Sequence, residues 1–385
     1  MNIKSLILGS AAALVAGGAA QAADLPVAEP VDYVKVCDAY GAGYFFLPGT
    51  DTCLKISGYV RTEARFSDGA SHGVAGSTRT NDKFNLWARG QVNFDAKEET
   101  ELGTLASRVR IEGEHNGDIK IAKAWLSLGG FYAGYLSSGG IVDYVGDMYG
   151  GDYDLGDLDV AQMGYNMAFG NGVTATLGIA NTQHLILDDG TSPKVSDFYA
   201  GQALPTLVAR LKVDQAWGSV SVGGIVSQAR YANADIDNDV AYSVAAGGIF
   251  NLDMLSAGSN FALNGFYTKG AMAWNGINDD KVMRDATIAG TDADLNELYG
   301  VSASLKYAFA DNLWTVISGG YAEYDDQGAA NDFDQWTASA ELSYKPVKNL
   351  KVIAGVQYTD RDFETASTTA DYDSWEGKLR LQRDF

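Results

Sequence analysis

From Leu54 onward, apolar and polar residues exchange places at every second position, the period of a strand with one dry face and one wet face. In the segment 54–66, Leu54, Ile56, Gly58, Val60, Ala64 and Phe66 form one face, while Lys55, Ser57, Arg61, Glu63 and Arg65 form the other. The segment 84–95 repeats this with Phe84, Leu86, Ala88, Val92 and Phe94 against Asn85, Arg89, Gln91 and Asn93. Further strands are predicted near 103–114, 119–129, 131–138, 160–169, 172–181, 205–214, 218–231 and 240–250. The rest fall near 260–269, 296–309, 313–324, 335–345, 350–360 and 374–385, sixteen in all. The fourth, fifth and thirteenth have ambiguous phase. The last places Trp375, Gly377, Leu379, Leu381 and Phe385 on the dry face, with Arg383 near enough to the end to snorkel outward.

The connections fall into two classes. Those after even-numbered strands are mostly short, as at Gly129-Gly130, Gly170-Asn171, 215–217, 310–312 and 346–349. Those after odd-numbered strands tend to be long and polar: 66–82, 139–159, 182–204, 270–295 and 360–373. The segments around Asn116 and Asn233 are shorter exceptions, and the turn at 95–102 reads as longer than its class. A β-sandwich does not predict this alternation. An all-β, 16-stranded antiparallel transmembrane β-barrel does, with turns on the periplasmic side and loops outside. No stretch supplies the ~18 apolar residues of a membrane helix, so a membrane location requires a closed barrel.

Ahead of the strands, Lys4, the apolar run 6–14 and Ala20-Gln21-Ala22 read as a signal peptide, residues 1–22, cleaved before Ala23. The expected domain plan is then an N-terminal periplasmic or lumenal segment, 23–53, and a barrel, 54–385, whose loop 139–159 enters the channel. Cys37 and Cys53 in an exported chain default to a disulfide. A metal site there would lack partners, since His72, His115 and His184 are distant in sequence.

Composition agrees with one large β-domain: the chain has 45 Gly and 21 Tyr but only 6 Pro, all in the N-terminal segment, in loops or at strand ends. The net charge is -21, or -22 once Lys4 leaves with the signal (-21 minus +1), which argues against a nucleic-acid partner. It also predicts a mild preference for cations.

One loop stands out. Residues 139–159 carry Asp143, Asp147, Asp152, Asp154, Asp157 and Asp159, with no Lys or Arg between Lys123 and Lys194. On the wet faces of strands 1, 2, 3 and 16, neighbours once the ring closes, lie Arg61, Arg65, Arg89, Arg108, Arg110, Lys378 and Arg380. A basic wall facing an acidic loop would set a transverse field at a constriction and sort solutes by size and charge. Any aqueous lumen also needs polar residues, which is the plainer account of the arginines.

Several stretches resemble the general porins of alphaproteobacteria: Val36-Cys37-Asp38-Ala39-Tyr40-Gly41-Ala42-Gly43-Tyr44, the Pro48-Gly49-Thr50 step, Gly58-Tyr59-Val60-Arg61, Glu99-Thr100-Glu101-Leu102-Gly103-Thr104-Leu105 and Leu128-Gly129-Gly130-Phe131. The terminal Phe385 resembles the membrane-insertion signal of outer-membrane barrels. The resemblance implies a homotrimer in the Gram-negative outer membrane, touching its lipids and lipopolysaccharide. It further implies passive diffusion of small hydrophilic solutes and ions, with no cofactor.

The runner-up is an outer-membrane barrel enzyme, a lipid hydrolase. Gly69-Ala70-Ser71-His72-Gly73 fits the nucleophile-elbow pattern, but in a loop rather than at a strand-to-helix turn. Asp235, Asp237 and Asp239 have calcium-ligand spacing, yet Val240 and Ala246 stand where the Gly and Glu of a calcium loop belong, leaving at most weak divalent binding by an outer loop. A barrel that tethers peptidoglycan would need an added periplasmic domain, for which no segment is predicted.

Overall fold

The computed structural model describes residues 35–67, 83–137, 143, 145–149, 158–182, 200–275, 277, 283–328, 331–364 and 371–385. Sixteen strands form one closed antiparallel ring. The first five are β1 (Cys53–Ser67), β2 (Lys83–Thr100), β3 (Gly103–Glu114), β4 (Lys120–Leu128) and β5 (Phe131–Ser137). Six more follow: β6 (Asp159–Gly170), β7 (Val173–Asn181), β8 (Thr206–Gln215), β9 (Gly218–Ala229), β10 (Asp239–Asn251) and β11 (Asn260–Lys269). The ring is completed by β12 (Glu297–Ala310), β13 (Leu313–Asp325), β14 (Phe333–Val347), β15 (Leu350–Phe363) and β16 (Tyr372–Asp384). Each strand pairs with its neighbours in sequence, and β16 returns to β1 with Glu376 opposite Ser67 and Asp384 opposite Tyr59. Beyond that ladder, Phe385 and Gly58 exchange backbone hydrogen bonds of 3.0 Å each way. Gly58 is needed there: a Cβ would run into the backbone oxygen of Gln91 and lie 2.9 Å from the Phe385 ring.

Every predicted strand is present, and the differences have local causes. The turn expected to be long at 95–102 is short, because β2 continues to Thr100 and only Glu101 and Leu102 remain to turn. The phase of β4 is broken by a bulge: Arg110 pairs with Lys123 but Ile111 with Ile121, so Ala122 is the extra residue. On β5, Tyr132 points inward and is buried while Tyr135 faces outward, so both faces carry an aromatic ring. On β13, Trp314, Val316, Ala322 and Tyr324 share the inward face and are all buried, covered from inside the barrel. A second bulge lies between Tyr344 and Val347, and Pro346 sits in it, where no ladder hydrogen bond is lost.

The outer face is apolar and exposed, with aromatic rings gathered at both ends. Toward the loop end, Trp336, Tyr358 and Trp375 stack in sequence across β14, β15 and β16, with ring centroids 4.9 and 4.7 Å apart. Phe66 and Phe84 continue this row on β1 and β2. Toward the turn end lie Trp217 against Phe250 and Tyr307 against Phe309. Such paired girdles bound the apolar band of a membrane barrel.

Inside, the barrel contains more than water-facing polar groups. Between β11 and β12 the chain forms a short helical turn, Met272–Asn275, and a hairpin of Ala286–Ala289 with Asp292–Leu295. Met272, Ile277 and Met283 from this connection pack on the inward residues Phe266, Leu298, Tyr324 and Phe333. Trp274, Ala286 and Leu295 pack on Val208, Ile225 and Ala241.

At the turn end, the strand Phe45–Phe46 pairs with the start of β1, and Cys37 is disulfide-bonded to Cys53. Both sulfurs are buried with Tyr44, and Lys97 lies over the Tyr40 and Tyr44 rings at 5.6 and 5.5 Å. Residues 1–34, and the leader assigned to 1–22, lie outside the described residues. Closing a loop of this size is worth about 3 kcal/mol in the chain-entropy view, and that stabilisation falls on the N-terminal segment rather than on the ring. Protein carrying Cys37→Ser with Cys53→Ser should therefore retain a heat-modifiable barrel on gels, while residues 38–52 become faster protease targets. Loss of the heat-modifiable form would show that the bridge holds the barrel itself.

Candidate functional site

The seam brings the seven predicted cations onto one inward surface, because β16, β1, β2 and β3 are consecutive in the ring. Arg61 stands opposite Arg89, and its Nε donates to Gln382 Oε1 at 2.8 Å. Arg65 and Arg380 flank Glu63 and donate to its two oxygens at 2.8 and 2.5 Å. Arg89 donates to Glu114 at 2.5 Å, Arg108 to Asp95 at 2.5 Å and Arg110 to Asn93 at 3.0 Å. Lys378 lies 2.8 Å from Glu376. Trp87 is sandwiched between Arg65 and Arg89, whose guanidinium carbons sit 4.7 and 4.8 Å from its ring, an arrangement attractive to both cations.

Four carboxylates, Glu63, Asp95, Glu114 and Glu376, thus sit among the cations and neutralise much of their charge. Sequence reading gave them no role. Their signal was present, since each occupies an inward position next to a predicted arginine or lysine in the strand register.

The described part of the acidic loop, residues 143 and 145–149, lies against the inner wall. Asp143 meets β8 through Arg210 at 3.1 Å and Lys212 at 2.8 Å. Its backbone oxygen accepts from Asn264 of β11 at 3.3 Å. Val145 is buried among Ala262, Ala308, Trp314 and Val316. Asp147 then pairs with Lys351 of β15 at 2.5 Å and accepts from Ser343 at 3.2 Å. The buried carboxylate of Glu341 on β14 accepts three successive backbone N–H groups, those of Asp147 (2.7 Å), Met148 (2.9 Å) and Tyr149 (3.2 Å). Opposite Glu341 stands Gly355, whose missing Cβ leaves the room taken by Met148 and Tyr149.

The loop reaches the predicted basic wall at β16. Arg380 donates to the Asp147 backbone oxygen at 2.6 Å, and Lys378 Nζ lies 4.3 Å from the centre of the Tyr149 ring. Asp159, at the start of β6, pairs with Lys123 at 3.2 Å. Asp152, Asp154 and Asp157 lie outside the described residues.

Burial pushes the Asp143 carboxyl upward, but the hydrogen bond from Lys212 and the charge of Arg210 outweigh it and hold its pKa below the ordinary aspartate value. Burial, with Glu376 and Glu63 nearby, raises the Tyr149 phenol well above its usual range. Among the described residues no cluster of His, Cys, Asp and Glu could hold a metal ion. Asp239 accepts from the Tyr231 hydroxyl instead. The Ser71-His72 pair lies outside the described residues.

A family model described as the porin subfamily matches residues 24–378. This chain belongs to the porin family. It is similar along its whole length to porin Omp2b of Brucella abortus (strain 2308), with 31% identity over 409 residues and 100% of both chains covered. The same full coverage holds for porin Omp2a of Brucella melitensis biotype 1, at 30% over 419 residues. Its fold resembles that of the outer membrane channel DcaP of Acinetobacter baumannii, with a TM-score of 0.73 at 18% identity over 88% of this chain and 99% of that one. It also resembles an anion-selective porin from Comamonas acidovorans, with a TM-score of 0.53 at 13% identity over 87% and 100%. The protein is a porin channel of the Gram-negative outer membrane and not a barrel enzyme.

Two outcomes follow from the porin's loop contacts. Hydrogen bonds to a charged group contribute about 1.5–3 kcal/mol each, so Glu341→Ala, which strips three N–H groups of their acceptor, should free the loop. Single-channel recordings should then show added step-like current noise, with Glu341→Gln intermediate. Asp143 has a folded pKa below its unfolded value, so its contribution is present above the unfolded pKa, about 3.9, and is lost as pH falls through the lower folded value. Current noise arising from this anchor should therefore appear only on acidification below the ordinary carboxylate range, and at neutral pH in Asp143→Asn.

Proposed function

We propose that this porin works as a homotrimer that passes small hydrophilic solutes and ions by passive diffusion, through a channel narrowed between loop 139–159 and the arginine-bearing wall of β16 and β1–β3. The observation that carries this reading is the anchoring of residues 143–149 inside the barrel, by Asp143 on Arg210 and Lys212 and by three N–H groups on Glu341. A loop held in this way cannot stay out in the solvent. The trimer is supported by the fold shared with OmpT of Vibrio cholerae, a structure described as its trimer form. In this reading Phe385 serves barrel insertion, residues 23–53 lie at the periplasmic end, and the aromatic girdles meet lipid and lipopolysaccharide.

The charges define the selectivity expected. On the wall each arginine or lysine is close to a carboxylate or amide, and the loop's Asp143 and Asp147 carry their own cations. Paired charges largely cancel a few ångströms away, which leaves the net -22 of the mature chain (-21 minus the +1 of Lys4) to set a mild cation preference. Outer-loop charge is screened over a Debye length of about 8 Å at physiological salt. The preference should therefore grow at low ionic strength.

Planar-bilayer recording of the purified mature protein tests the proposal. Heat-modifiable trimers should conduct without added energy, and a soluble monomer or a silent bilayer would refute the reading. Replacing Arg61, Arg89 and Arg108 by Gln should move the reversal potential in a salt gradient toward cations. Replacing Asp143 and Asp147 by Asn should move it toward anions and raise conductance by loosening the loop. Unchanged selectivity in both would mean that neither group faces the permeation path.

A further inference from the structure

We propose that residues 270–275, 277 and 283–295, between β11 and β12, form a second and fixed size-selecting element of this porin: folded into the outer mouth over the β8–β15 side, they confine solute entry toward the arc of β16 and β1–β4. The inference rests on the porin reading and adds to it a segment seated mainly by apolar side chains.

The wall beneath this segment is the first observation. Phe266, Leu298, Tyr324 and Phe333 occupy inward positions near the loop ends of their strands, where an aqueous lumen would wet them. Instead Leu298 is 0% and Tyr324 and Phe333 are each 1% exposed, because Met272 and Met283, both 0% exposed, cover them. Apolar side chains aimed into a water channel are unfavourable unless covered. The strand sequences thus presuppose the lid above them. On the far side Trp274 does the same for Val208, Ile225 and Ala241.

A polar knot then fixes the register. Asn296 is fully buried, and its amide donates to the Arg284 backbone oxygen at 3.1 Å and to the Tyr324 hydroxyl at 2.9 Å. Its side-chain oxygen accepts from the Gln327 N–H at 3.1 Å and lies 3.1 Å from Thr287 Oγ1, a hydroxyl shared with the Asp326 carboxylate. Both amide hydrogens and the oxygen of that side chain are thus engaged. Asp285 accepts the Met272 N–H at 2.9 Å, and the Gly270 N–H donates to the Asn296 backbone oxygen at 3.0 Å, which ties the two ends of the segment together. A satisfied buried network of this kind specifies one arrangement, so the segment belongs to the channel's resting shape.

Two variants test this in the full-length trimer: Met272→Asp with Met283→Asp, which makes the underside of the segment repel its apolar seat, and a replacement of residues 273–292 by a short Gly/Ser linker. Both leave the sixteen strands and the loop 139–159 unaltered. Single-channel conductance should rise by about half again or more, as a wider aqueous mouth requires, and polyethylene glycols excluded by the wild-type channel should enter. Unchanged conductance and an unchanged polymer cut-off in a trimeric variant would overturn the proposal, whereas a silent wild-type channel would overturn the porin reading with it. Should neither variant assemble, Met283→Cys in the intact trimer still decides: its thiol should label far more slowly with a membrane-impermeant maleimide than that of Ala289→Cys. Equal labelling would mean the segment is not seated.

Discussion

Within hydrocarbon no water is available to a backbone N–H or C=O, so a strand can cross only if both of its edges are paired. That demand is met here at one seam, where β16 returns to β1 and the last residue, Phe385, exchanges hydrogen bonds with Gly58. Everything else about the wall follows from closing that ring. Strand residues then divide into an outer set in contact with lipid and an inner set that must share one interior. The alternation visible from Leu54 onward is the sequence's record of that division.

The interior poses the next problem, since sixteen inward faces, many of them charged, converge on a confined volume. The solution is pairing across and along strands: Arg108 with Asp95, Arg89 with Glu114, and Arg380 from across and Arg65 from the same strand on the two oxygens of Glu63. Charges so arranged hold a polar surface in place without leaving cations stacked against one another, as Arg61 and Arg89 would otherwise be. The loop enters the same scheme, with Asp143 and Asp147 ending on Arg210, Lys212 and Lys351. Its acidity therefore secures the loop as well as colouring the lumen.

The fold was legible because it is written in nearest-neighbour terms. Period-two alternation and turn length determine each strand and its partner, and all sixteen were found from them. The site was legible only in part. Residues facing each other across the seam could be inferred from closure, but Glu341, Lys351, Arg210 and Lys212 meet the loop through contacts that skip many strands, and no local pattern announces these. The inward-folded segment 270–295 did leave a trace. The phase of β13 is ambiguous because Tyr324, beneath that segment, and Trp314 and Val316, beneath Val145 of the acidic loop, are apolar on its inward face, and an apolar inward face signals that something covers it. Where alternation fails in a barrel strand, the failure points to what lies inside.

Among the described residues, the two segments 143–149 and 270–295 are held by different physics, and this separates their behaviour. Residues 143–149 rest on ion pairs and charge-assisted hydrogen bonds, strengths that depend on pH and, where water reaches them, on ionic strength. The described residues of 270–295 rest on a dry cluster of Met272, Met283, Phe266 and Phe333, with hydrogen bonds to the Asn296 amide and to the Asp285 and Asp326 carboxylates, and salt does not weaken the dry contacts. On the proposed reading, solution conditions act on the channel chiefly by way of the acidic loop. The difference between the two segments resides in which side chains each presents to the same wall.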